Sequence, residues 1–274
     1  SFVGGKPPPD PADLRFRVSH FADGATLRVE EDREGRRFFA TGLESPELRE
    51  RSMDAELECA RVEEANLWLA PELTLTVELR RRLALSLAAH QAESLLICVP
   101  GTWHEMDGKH RVNRALVFNG NGQQVAQQEK CSQFSYPSGE DELAEQIDAR
   151  RSVTLLVTPI GTVGIAICKD HFDATASGLI RACWDRLAPD WMLVPSMGDG
   201  KTVEAHLKRA KEAWEVRCTR SIVANQEARL ASRDCDPVPG FIRCGAEPEA
   251  VKVGGSSFAR AAQAGNPEPR RRGP

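Results

Sequence analysis

Three apolar runs in the second half of the chain, GTVGIAIC (161–168), DWMLVPS (190–196) and SIVANQ (221–226), are separated by two helical patterns, ATASGLIRACWDRLA and TVEAHLKRAKEAWEVRCTR. Runs so uniformly apolar suit strands buried on both faces, and helices between them suit crossover connections. The first half repeats the theme. Residues 45–65 predict a helix that starts at the Ser45 cap with Pro46 behind it, and the short apolar run NLWLAPEL follows. VELRRRLALSLAAHQAE is a second amphipathic helix, and SLLICVPGTW after it reads as a buried strand. Hairpins are interleaved with these crossovers. NRALVFNGNGQQVAQQEK joins two strand-like runs through Asn-Gly-Asn-Gly, and SVTLLVTPIGTVGIAIC turns around Pro159 to Gly161. LRFRVSHF is the candidate N-terminal strand. The order predicts an α/β (α+β) fold in which helices cover a mixed sheet, and no internal repeat is present.

Other properties of the chain narrow the function classes. A formal net charge of −4 over 274 residues argues against an overall basic field for nucleic acid. No stretch approaches the roughly 18 to 20 apolar residues that span a bilayer, and SFVGGKPPPDPADL lacks a signal peptide's charged start and apolar middle, so a soluble, cytoplasmic protein is expected. The eight cysteines lie mostly in apolar or helical stretches, without CxxC pairs, which favours reduced thiols and argues against structural zinc. No metal site is expected. Residues 1–12 and 261–274 are rich in Pro, Gly and charge and read as linkers or tails, leaving 13–260 as the folded domain. These ends and the initial Ser suggest a domain cut from a longer protein, with a fused domain or partner protein.

Glu72 follows NLWLAP, Lys130 follows GQQVAQQE and Cys168 follows VGIAI, each at the C-terminal end of a predicted strand. Strand ends are where such sheets present catalytic groups. Singly, each has a plainer reading: a turn carboxylate, a solvated lysine, a small buried hydrophobe. Together they suit one chemistry. A carboxylate can take the proton of a thiol if burial raises its own pKa, and a nearby ammonium favours the thiolate and the oxyanion formed by its attack. The backbone N–H of Lys169 is a candidate second oxyanion donor.

LAPELTL, QEK followed by FSYPSGE, and GTVGIAICKDHF resemble, in that order, the three signature regions of the nitrilase or carbon–nitrogen hydrolase superfamily. The hairpin before Lys130, DWMLVPSM, WEVRCTRSIVANQ and GGSSFA resemble its successive segments, so the likeness spans roughly residues 60 to 260. It implies a four-layer αββα sandwich with Glu72 as general base, Lys130 as transition-state stabiliser and Cys168 as the acylated nucleophile. It also implies a second glutamate lining the site, for which Glu140 is the first choice and Glu142 the alternative, with Lys169 beside them. The implied activity is hydrolysis of a small-molecule amide, carbamoyl amide or nitrile through a thioester, with no cofactor, and a homodimer is compatible with it. Cys131 stands where many members carry a His-Leu pair, Lys169 stands where an aromatic often follows the cysteine, and RAAQAGNPEPRRRGP shows no pattern for the last strands. A nitrilase-like interaction or regulatory module, and an unrelated fold with a structural Cys168, are the competing readings.

The remaining polar residues have bland expectations. His104 and His110 flank EMDGK as loop histidines, ELRRRL is a solvated helix face, and Asp170 holds a local turn. Trp191 and Trp214 pack in the core or on a helix. His171 is near enough to Cys168 to suggest a Cys–His pair, but the carboxylate mechanism leaves it no task.

Overall fold

The computed structural model describes residues 13–21, 26–32, 34–90, 92–138, 141–149, 152–173, 178–226, 240–245, 249–250 and 257–260. The first half runs β1 (Arg15–Val18), β2 (Leu27–Asp32), β3 (Arg37–Leu43), α1 (Pro46–Val62), β4 (Leu67–Leu69), α2 (Val77–His90) and β5 (Ile97–Val99). Four more strands lead to the middle of the chain: β6 (Thr102–Asp107), β7 (His110–Phe118), β8 (Gln124–Glu129) and β9 (Ser135–Ser138). Then follow β10 (Asp141–Glu145), β11 (Leu155–Thr158), β12 (Gly161–Ile165), the single turn α3 (Lys169–Phe172), α4 (Gly178–Leu187) and β13 (Trp191–Met197). The chain continues through α5 (Gly200–Arg217), β14 (Arg220–Gln226), β15 (Gly240–Arg243), β16 (Glu249–Ala250) and β17 (Ser257–Arg260).

Two large sheets face each other. One is ordered β17-β1-β4-β5-β7-β6 with β8 added on β7, the other β11-β12-β13-β14-β15-β16, and both mix parallel with antiparallel pairs. Side chains alternate between faces with the period of a strand. Leu67, Leu69, Ile97, Val99, Ala115 and Val117 from one sheet meet Val163, Ile165, Leu193, Ile222 and Ala224 from the other. The intervening Trp68 and Cys98 turn outward and pack with Met53 and Leu57 of α1 and Leu79, Leu83 and Leu87 of α2. Met192, Val194 and Val223 turn outward on the other side, with Ile180 and Trp184 of α4 and Val203 and Ala210 of α5. The layers are therefore αββα, and burial of both faces is why these strands read as unbroken apolar runs. The candidate first strand pairs parallel with β4 and antiparallel with β17.

A small third sheet, β2-β3-β10-β9, sits beside this sandwich. It matters because its strand β10 ends in Glu145 and its strand β3 contributes a backbone N–H to His104 on β6. Two expectations are corrected here. His104 lies not in a loop but on β6 of a β6–β7 hairpin that turns through Gly108 at φ +63°, and it is buried. ELRRRL is not wholly solvated either. Arg81 and Arg82 are exposed, whereas Arg80 is buried against Glu105 and the Arg114 carbonyl, which satisfy its charge and part of its donor fork.

Candidate active site

The end of β13 holds two loops together. Its Pro195 carbonyl accepts from Cys168 N at 2.8 Å and its Ser196 carbonyl accepts from Glu72 N at 3.2 Å. The loop carrying Glu72 is also pinned by Gln226, whose Nε2 donates to the Glu72 carbonyl at 2.5 Å. Gly101 lets the neighbouring strand pass: at φ +73°, an added Cβ would lie 2.0 Å from the Pro71 carbonyl oxygen. Cys168 itself has φ 47° and ψ −111°, a strained conformation for a residue with a Cβ, at the point where β12 gives way to α3. Such strain persists only where surrounding contacts impose it, and it clusters at functional sites.

Lys130 is the hub. Its Nζ donates to Glu72 Oε1 and to Glu145 Oε2, each at 2.7 Å. Asn113 on β7 bridges the same carboxylates, its Nδ2 lying 2.9 Å from Glu72 Oε1 and 2.8 Å from Glu145 Oε1. His104 completes the frame. Ala40 N donates to its Nδ1 at 2.8 Å, so the ring proton sits on Nε2 and is donated to Glu145 Oε1, also at 2.8 Å. Phe134 N adds a bond to Glu145 Oε2 at 3.1 Å. Glu72, Lys130 and Glu145 are each at most 2% exposed, a burial that charged groups tolerate only when paired and hydrogen-bonded as here.

The same burial sets the titration of the group. Burial raises the Glu72 carboxyl, Glu145's charge raises it further, and Lys130 pulls only part of this back. Glu145 is held the opposite way: burial works against its charge, but Lys130 and His104 outweigh it and keep Glu145 well below the usual carboxylate range. Burial likewise works against the Lys130 ammonium, and the two carboxylates overcome it and push Lys130 well above its usual value. The Cys168 thiol itself donates to the Met197 carbonyl at 3.8 Å, with the Glu72 carboxylate close enough to act on its titration. The Cys168 thiol is pushed up to about 12 by burial and by the Glu72 charge, with Lys130 opposing. At rest Cys168 is therefore a thiol beside a carboxylate, rather than the preformed thiolate that a lysine alone would favour.

The structure thus brings Glu72, Lys130 and Cys168 together. Glu142 is exposed and stands apart from them, and Glu140 lies outside the described residues. The second glutamate against Lys130 is Glu145, and a signal for it exists in DELAE: Leu143 and Glu145 share a strand face and are both buried, which turns Glu142 to the other face. The Lys169 side chain points away, its Nζ on the Gln133 carbonyl at 3.2 Å and 3.7 Å from Asp173. Asp170 does more than hold a local turn: its Oδ2 accepts from Cys131 N at 2.9 Å, tying the segment that carries Cys168 to the residue after Lys130. Burial pushes its carboxyl up to about 7. His171 is buried against His206. Among the described residues there is no cluster of His, Cys, Asp and Glu suited to a metal ion, and no helix long and apolar enough to cross a membrane.

No known family model and no curated protein matches the sequence. Solved structures do match in fold. The glutamine-dependent NAD+ synthetase from Acinetobacter baumannii superposes with a TM-score of 0.59 at 13% identity, over 90% of this chain but 45% of its own, so the chain spans less than half of that protein. Saccharomyces cerevisiae Nit3, a member of the nitrilase superfamily, gives 0.54 at 14% identity over 92% of this chain and 83% of its own. A double mutant of the amidase from Nesterenkonia sp. AN1 in complex with acrylamide gives 0.55 at 16% identity over 93% and 86%. The chain has the fold of the nitrilase superfamily.

Proposed function

We propose that the chain hydrolyses a non-peptide carbon–nitrogen bond of a small amide, carbamoyl amide or nitrile through a thioester on Cys168. The observation that carries this reading is Lys130 shared at 2.7 Å between Glu72 and Glu145, with the Glu72 carboxylate near enough to the Cys168 thiol for each to shift the other's titration. With an amide, Sγ attacks the carbonyl carbon as its proton passes to Glu72. Lys130 and the Lys169 backbone N–H stabilise the oxyanion. Glu72 then gives its proton to the leaving nitrogen, the carbon–nitrogen bond breaks, and ammonia or an amine departs. Water, deprotonated by Glu72, attacks the thioester; release of the carboxylic acid returns the proton to sulfur.

A base must hold the proton only briefly and return it, and a carboxyl raised by burial is matched to that task. Glu145 stands in a different environment: its role is to keep Lys130 charged and aimed. The amidase complex with acrylamide supports a small amide as the first substrate class to try, and the synthetase supports adding glutamine. The test is ammonia release across a panel of short aliphatic amides, glutamine, carbamoyl amides and nitriles. Turnover should disappear in Cys168→Ala, with circular dichroism unchanged. Equal ammonia release by Cys168→Ala would refute the reading.

A further inference from the structure

The charged cluster occupies one side of Cys168, and a second set of buried polar side chains that the reaction above does not use occupies the other. Ser196 Oγ lies 3.6 Å from Cys168 Sγ. His206 Nε2, on α5, is 3.0 Å from the same Ser196 Oγ, and its Nδ1 is 2.9 Å from His171 Nδ1. Ser196 and His206 are fully buried and His171 is 3% exposed. Phe172 closes the assembly with its ring edge-on to His206, centroids 4.9 Å apart. Four side chains, from α3, α5, β13 and the turn between β12 and α3, thus form one hydrogen-bonded chain that ends on the sulfur.

We propose that Ser196, oriented by His206 and His171, donates a hydrogen bond to Cys168 Sγ, so that this chain positions the nucleophile and stabilises its thiolate as the proton leaves for Glu72. The inference rests on Cys168 acting as the nucleophile. The direction of the chain follows from counting protons. Burial holds His206 down at about 3 and His171 well below its usual value, so each ring carries a single N–H. A 2.9 Å contact between two Nδ1 atoms needs one proton between them, not two. If His171 supplies it, His206 keeps its proton on Nε2 and donates to Ser196 Oγ, leaving the serine O–H to donate to sulfur. If His206 supplies it, Nε2 must accept the serine proton, and no donor remains for Sγ. Only the first polarity gives Sγ a donor from Ser196 while the Cys168 proton is given to Glu72. Neutral groups suit this place: a cation there would favour a standing thiolate, whereas a fixed hydroxyl donor favours the sulfur anion while leaving the proton to the base.

Two measurements on the intact chain test this. Long-range proton–nitrogen correlation spectra of the histidine rings should show His171 protonated on Nδ1 and His206 on Nε2; the reverse assignment would overturn the proposal. The second follows alkylation of Cys168 by iodoacetamide at pH 8, read by peptide mass spectrometry against Cys183 as an internal reference. Ser196→Ala and His206→Leu should each slow labelling of Cys168 about tenfold, the size expected for one hydrogen bond to a charged sulfur. His206→Gln should restore most of the rate, because its amide can still donate to Ser196 Oγ. A Ser196→Ala rate within twofold of the parent chain, or a His206→Gln as slow as His206→Leu, would sink the idea. Glu72→Gln separates the two readings: it removes the base of the proposed reaction and should leave both histidine tautomers unchanged.

Discussion

The two sides of Cys168 solve different problems. Towards the hairpin and β10 lie charges: Glu72, Lys130 and Glu145, with Asn113 and His104 bracing them. Towards α5 lie groups that are buried and neutral: Ser196, His206 and His171. A charged site can move a proton and stabilise an oxyanion, but each charge kept from water demands a partner, which is why five side chains interlock there. A neutral chain demands only matched donors and acceptors and can hold an atom still at little electrostatic cost. On the proposed reaction, this difference separates proton transfer from positioning around one sulfur. It also predicts that the two sides fail differently.

The largest effect is expected from Glu72→Gln, which keeps the shape of the base and removes its basicity. The substrate-dependent rate should fall roughly a thousandfold, the middle of the range for losing a general base, with the melting temperature little changed. Retention of most activity would move the proton to another group. Lys130→Met tests the same side through stability. It leaves Glu72 and Glu145 buried without their cation and should cost about 3–5 kcal/mol in urea unfolding, and Lys130→Met combined with Glu145→Gln should recover part of that loss. No recovery would mean that Lys130 acts through packing.

Asp170 bridges the comparison, because it sits two residues beyond Cys168 yet bonds to the residue after Lys130. Its carboxyl is raised to about 7 by burial, with the Cys131 N–H, Ser132 and Lys130 opposing and Glu145 assisting. The unfolded carboxyl titrates near about 3.9, so its favourable contribution is whole below that pH and is lost as pH rises towards 7. From pH 5 to 8 this one group should remove on the order of 3 kcal/mol of stability. Asp170→Asn should flatten the profile over that window, and parallel unfolding curves at pH 5 and 8 for both proteins would show that Asp170 is ionised in both states. The smallest effects belong to Glu142→Gln and Lys169→Ala, whose side chains stand off the cluster. Each should change the catalytic rate less than about twofold, while Glu145→Gln lowers it at least tenfold.

The layers of the fold and the three groups the structure brings together at the candidate site are legible in the sequence. Strands buried on both faces read as apolar runs, and Glu72 and Cys168 stand at the ends of such runs, whereas Lys130 follows the second, mostly polar strand of a hairpin marked by its Asn-Gly turn. The bracing residues are harder to see because they lie within strands whose neighbours are set by tertiary pairing. His104 reads as a loop residue until Asp-Gly at 107–108 is taken as the hairpin turn it forms, after which alternation along β6 and β7 turns His104 and Asn113 inward. Glu145 follows from Leu143, its buried neighbour two residues back on the same face. Arg80 shows the opposite failure, a charge in an RRR run that burial reclaims because Glu105 is across from it. The Ser196–His206–His171 chain carries no local signal at all, since its members are brought together from β13, α5 and α3 only by packing of the outer helix layer.

The central claim is that Cys168 carries the acyl group, and it can be read directly. With the amide that gives the fastest ammonia release, the reaction is quenched in acid during turnover, and the peptide spanning Val163 to Phe172 is weighed. The account predicts an added acyl mass on Cys168, absent without substrate and absent in Cys168→Ser. Ammonia released at an undiminished rate by Cys168→Ser, with no adduct on this peptide in the parent chain, would contradict it.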